Sequence, residues 1–143
     1  MRITLNAQKL SFSQAYHSGG ISRYIYELLR NLRSLSSLHH FTAFAPDATG
    51  DPELASTERF RLITAGASAE RAVQRILWEQ LILPWRLAGR SDLHHGLAFA
   101  LPLGWPGRSV VTIFDLSFLR FPKMFNRRRL RKQQAKRCLS RCR

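Results

Sequence analysis

Acidic residues are scarce in this chain: nine Asp and Glu stand against 23 Lys and Arg, a formal charge of +14 over 143 residues. No carboxylate cluster of the kind that holds a divalent cation is present in the sequence. Cysteine is scarcer still. Cys138 and Cys142 sit four apart, one helical turn rather than the C-x-x-C spacing of zinc or redox sites, and read as free thiols. No apolar run reaches the length of a membrane span, and Met1 to Asn6 lacks the sustained apolar stretch of a secretory leader, so the expected address is cytoplasmic. Four of the five histidines form the pairs His39-His40 and His94-His95; strand neighbours point to opposite faces, so neither pair can easily grip one ion, and no metal or other cofactor is expected. Internal repeats, low-complexity segments and a G-x-G-x-x-G fingerprint are also missing.

The charge that is present is unevenly spread. Nine of the 23 basic residues fall in residues 127–143, which hold no acid, leaving +5 for residues 1–126. The reading is therefore one domain over residues 1–125, followed by a basic helix over 126–143. Apolar spacing and turn residues outline the domain. Arg2 to Leu5, Phe41 to Ala45, Phe60 to Ile63 and Asp92 to His95 read as short strands, punctuated by Pro46 and by the polar run Asp47 to Pro52. Ser109 to Phe114 is a near-continuous β-branched and apolar run ending at Asp115, as expected of a strand covered on both faces. Ile21, Tyr24, Ile25, Leu28, Leu29, Leu32 and Leu35 follow helical periodicity. Ala69 to Leu87 reads as a second helix with Val73, Ile76, Leu77, Gln80 and Leu81 along one side, kinked or ended by Pro84. This alternation predicts an α/β domain with a doubly wound, mostly parallel, Rossmann-like sheet. A last helix with no strand after it implies a chain that stops in mid-unit, since such a helix normally connects to a further parallel strand.

Within that outline, Gly19-Gly20 lies between the first strand and the first helix. Two missing Cβ atoms, free N–H groups and the positive helix end would let a phosphate approach the backbone, while the alternative for a glycine pair before a helix is a plain turn. In a parallel sheet ligands collect at the carboxyl ends of strands, which places Asp115, the acid that ends the most apolar run, on the expected site edge. Its structural alternative is a cap on the turn through the Ser117 or Phe118 amide. Trp78, Trp85 and Trp105 suit sugar stacking, but read more readily as core or cover.

Four segments, in order, resemble the amino-terminal lobe of family 4 glycosyltransferases of the GT-B fold. They are the opening strand with Gly19-Gly20-Ile21-Ser22-Arg23-Tyr24, then Leu77-Trp78-Glu79-Gln80-Leu81-Ile82-Leu83-Pro84, Asp92-Leu93-His94-His95, and Val110 to Pro122. The resemblance implies the acceptor-side lobe of an enzyme that moves a sugar from a nucleotide-sugar donor to a saccharide or lipid-linked acceptor, with retention and without a metal ion. It implies donor phosphate binding by Gly19, Gly20 and Arg23, and acceptor-side roles for His95, which ends the fourth strand, and Asp115; a surface arginine on a helix and a satisfied strand-end histidine are the structural alternatives for Arg23 and His95. Phe114 stands where the family usually has a histidine beside the transferred sugar, and phenylalanine can neither donate nor accept. The family's donor lobe, with its pair of glutamates, has no counterpart in the sequence, so transfer by this chain alone is not expected. The basic residues and the apolar stretch from Leu81 to Trp85 suggest peripheral contact with an anionic inner-membrane surface. A small protein binding nucleic acid through Arg127 to Arg143 is the less favoured alternative, because that helix has no aromatics for base stacking. A non-catalytic scaffold is a third.

Overall fold

The computed structural model describes residues 1–11, 19–35, 38–46, 51–66, 72–116 and 120. The basic segment 126–143, Cys138 and Cys142 lie outside them. Five parallel strands form one sheet in the order β3-β2-β1-β4-β5, where β1 is Arg2–Asn6, β2 His40–Ala45, β3 Phe60–Thr64, β4 Leu93–Gly96 and β5 Ser109–Val111. This is the order of a Rossmann-like sheet, in which the winding reverses between β1 and β4. The α/β class and parallel sheet expected above are present.

Strand alternation builds a different core on each face. Leu5, Phe41, Ala43 and Phe60 turn towards helix α1, Gly20–Ser34, and pack with Ile25 and Leu29, both fully buried. Burying each of these two helical side chains stabilises by about 1.5–3 kcal/mol. On the opposite face Phe44 meets Trp78, ring centroids 5.6 Å apart, together with Leu83 and Leu87.

The second helical region departs from the regular helix expected over 69–87. It consists of α2, Ala72–Leu77, a π-helical turn over Trp78–Ile82, and α3, Leu83–Leu87. Pro84 does not end it. Proline cannot donate to the carbonyl four residues back and crowds it, and the wide turn immediately upstream accommodates both effects. The expected apolar side also faces outward: Val73, Leu77 and Leu81 are exposed, while Trp78, Glu79, Leu83 and Leu87 carry the buried contacts. Among the tryptophans, Trp78 is core, Trp105 packs against that core, and Trp85 is 82% exposed.

β5 is likewise shorter and less covered than expected. Regular pairing stops at Val111, four residues before Asp115, and Val110 is exposed on β5, the last strand in the order. Thr112 still donates its N–H to the Gly96 carbonyl (2.9 Å) and accepts from Phe99 (3.0 Å), so the chain leaves the sheet just past β5.

Candidate functional site

The carboxyl ends of β1, β4 and β5 meet where the sheet reverses its winding. From β1 the chain continues through Ala7 to Ser11, and this segment is tied to the first turn of α1 by one hydroxyl. Buried Ser22 accepts from the Ser11 amide (3.1 Å) and donates to the Ser11 carbonyl (3.3 Å). Gly19 is the helix cap in extended conformation, with no side-chain capping bond to occupy the helix end, and both glycines are exposed. A Cβ added at Gly20 would meet nothing within 4 Å. Arg23 is exposed one turn into α1, its amide bonded to the Gly19 carbonyl.

His94 and His95 point to opposite faces, as strand geometry requires. His95 lies on the α1 face, half-buried, with Nε2 2.8 Å from the Thr112 hydroxyl, and burial lowers its pKa from the ordinary value. His94 is fully buried on the other face, where Nδ1 lies 3.1 Å from Thr4 Oγ1 and Thr4 lies 2.8 Å from Ser91 Oγ. Ser91 donates onward to the Leu93 carbonyl (2.9 Å), which orients the chain of donors. The single Thr4 proton then has Ser91 Oγ and the Leu93 carbonyl (3.4 Å) as acceptors, and with either one His94 donates to Thr4 from Nδ1, which is the Nδ1–H tautomer. Nε2 is left buried without a partner, and a proton there would be a desolvated, unpaired charge. Burial, with a smaller contribution from neighbouring His95, pushes the pKa of His94 down to about 3.

A second polar group on this face escapes sequence reading. Glu79, in the π-helical turn, is buried and accepts a bond from Asn6 Nδ2 at 3.1 Å. Asn6 is held the right way round because its Oδ1 accepts the Gln8 amide (3.2 Å). Desolvation raises the pKa of Glu79, opposed by the Asn6 bond and by Arg75 and Lys9. Gln8 is 1% exposed, with neither side-chain polar atom hydrogen-bonded. The available signal for Glu79 is a lone acid within the apolar run from Ile76 to Leu83.

Beyond β5, Phe114 and Asp115 are exposed, and the Phe114 ring lies 5.0 Å from that of Tyr24 in α1. The glycine-capped start of α1 and the segment carrying Asp115 are therefore on the same rim of the molecule. His95 is on this side of the sheet as well, engaged with Thr112. The alternative contact of Asp115 with Ser117 or Phe118 involves residues outside those described. Among the described residues no three His, Cys, Asp or Glu side chains gather, and no helix is long and apolar enough to cross a membrane. Compared with family models, with curated proteins and with solved structures, the chain matches none.

Proposed function

We propose that this domain is the acceptor-side lobe of a retaining, family 4, GT-B glycosyltransferase, which moves a sugar from a nucleotide-sugar donor to a saccharide or lipid-linked acceptor once a donor lobe closes over it. The observation that carries this reading is the shared rim: the open glycine start of α1 stands beside Phe114 and Asp115, joined by the Tyr24–Phe114 contact. A diphosphate at Gly19 and Gly20 would meet amide donors and the helix's positive end, with the Arg23 guanidinium one turn away. His95 and Asp115 are the candidates for hydroxyl groups of the sugar or acceptor. Without a second lobe the reacting groups are neither aligned nor shielded from water, so this chain alone is inactive.

Titration with uridine diphosphate, followed by backbone amide NMR, tests the phosphate side. Shifts should concentrate at Gly19, Gly20 and Arg23. Gly20→Ala should fold normally, since its methyl group meets nothing within 4 Å, yet weaken the diphosphate about tenfold by holding it off the backbone. Absence of shifts at the start of α1 overturns the reading.

The outward apolar side of the second helical region supports a membrane-facing role within the same activity. Leu81, Ile82 and Trp85 are exposed, and Arg86 and Arg90 follow on exposed positions. Trp and aliphatic side chains enter the headgroup boundary, and each nearby Arg adds about 1 kcal/mol on an anionic surface. The chain should float with phosphatidylglycerol vesicles and not with neutral ones, and Trp85→Ala should cut the bound fraction several-fold. Equal flotation with both lipids removes this part of the proposal.

A further inference from the structure

Three aromatic rings from separate segments meet on the rim. Phe114 packs against Tyr24 with planes 83° apart, and against Phe99 with centroids 5.6 Å apart and planes at 62°. Tyr24 and Phe114 each remain 39% exposed, so the cluster is not sealed into the core. Phe99 is the one non-glycine with positive φ among the described residues, at 58°, a conformation that costs about 1–2 kcal/mol in an L-residue. Its amide is fixed on the Thr112 carbonyl, which keeps the ring at this position. The ammonium of Lys9 lies 5.3 Å from the centroid of the Phe99 ring. Lys9 is half-buried, and among the described residues no carboxylate is within ion-pairing distance of it. Desolvation, followed by repulsion from Arg75, lowers its pKa, opposed by Glu79 from beyond that distance; an incoming anion would offset both lowering effects.

We propose that Phe99, Phe114 and Tyr24 form a seat for a pyranose ring bearing an anionic substituent, with Lys9 as the counter-ion. One face of a pyranose presents C–H bonds, whose positive ends favour the electron-rich faces of aromatic rings. Rings set at steep angles make a corner that suits a puckered ring, whereas a flat nucleobase needs a single broad face to stack on. An ammonium beside the corner selects a phosphate or carboxylate on the sugar. The choice of a sugar rests on the glycosyltransferase reading and deepens it: contact by aromatic faces takes the place of the hydrogen bond that a histidine at Phe114 would have made.

The test uses the whole 143-residue chain, titrated with α-D-glucose 1-phosphate, D-glucuronate, D-glucose, inorganic phosphate and uridine monophosphate, with saturation-transfer NMR reporting which ligand protons touch the protein. At least one anionic hexose should bind about tenfold or more tighter than glucose and than inorganic phosphate, with transfer strongest to ring C–H protons. The tighter of the two identifies the substituent. Phe114→Leu, which keeps apolar bulk, and Phe99→Asn, which tolerates positive φ, should each weaken that hexose about tenfold. Lys9→Met should bring it to the affinity of glucose. Unchanged binding in a folded Phe99→Asn chain overturns the seat, as does tighter binding of uridine monophosphate with transfer to its base. Loss of diphosphate binding at Gly19 and Gly20 while the hexose still binds would remove the donor-side reading and leave this one standing; the reverse result would remove the seat alone.

Discussion

Acidifying the solution from pH 7 to pH 4.5 is expected to remove about 2–3 kcal/mol of folding stability through His94 alone. In the unfolded chain this imidazole takes up a proton below its ordinary value of 6.5, whereas in the fold it stays neutral down to about 3. Between those values the unfolded state binds more protons, so stability falls as pH falls. The loss begins near pH 6.5 and is complete only below the folded value. His95, also lowered by burial, acts in the same direction, and Asp92 adds a later loss, because Arg2 holds its carboxyl down to about 2. Glu79 has the opposite sign. Its raised pKa makes the folded state the better proton binder in the window just above 4.5, so protonating it gives stability back. Urea unfolding across this range, compared with His94→Gln, isolates the imidazole. The variant should be weaker at pH 7, having lost the bond to Thr4, but its profile should be flatter. Parallel profiles would mean that His94 is not the titrating group.

Gly96→Ala is expected to cost about 3 kcal/mol and to lower the melting temperature by about 10 °C. An added Cβ would fall inside the contact distance of the Ala100 carbonyl oxygen and lie 3.1 Å from Leu101 Cδ2. Retreat is blocked on both sides. Gly96 pairs with Asn6 of β1 and Val111 of β5, and its carbonyl accepts from Thr112. The loop after β4 is also pinned, since Gln80 donates to the Leu101 carbonyl (3.1 Å) and accepts from the Leu103 amide (3.0 Å). A Gly96→Ala chain that melts with the parent would place this loop elsewhere.

The first three strands and α1 were legible because breakers bound them and the apolar spacing matches one buried face. Periodicity announces a stripe without saying what covers it, and Val73, Leu77 and Leu81 show the difference by facing outward. In the same way, the run from Val110 to Phe114 has the composition of a covered strand, but position in the sheet decides exposure, and β5 came last in the order. Gly19 and Gly20 are marked by residue type at a helix start, Asp115 at the end of an apolar run and His95 by resemblance; the structure sets Asp115 four residues past β5, since composition does not say where pairing stops. The Lys9, Phe99 and Tyr24 surroundings had no such mark. Phenylalanine has no special tolerance for positive φ, so nothing in the local sequence foretold the ring's placement at the rim.

The position of β5 has one more consequence. Among the described residues no strand adds to its far side, so Ser109 and Val111, alternating with the residues that bond to β4, present backbone N–H and C=O groups outward from a sheet whose members all run the same way. Such a margin is a template that accepts any extended segment of matching polarity. Self-association of this chain should accordingly proceed by lateral accretion at that margin, and a lysine introduced at Val110 would be the simplest barrier against it.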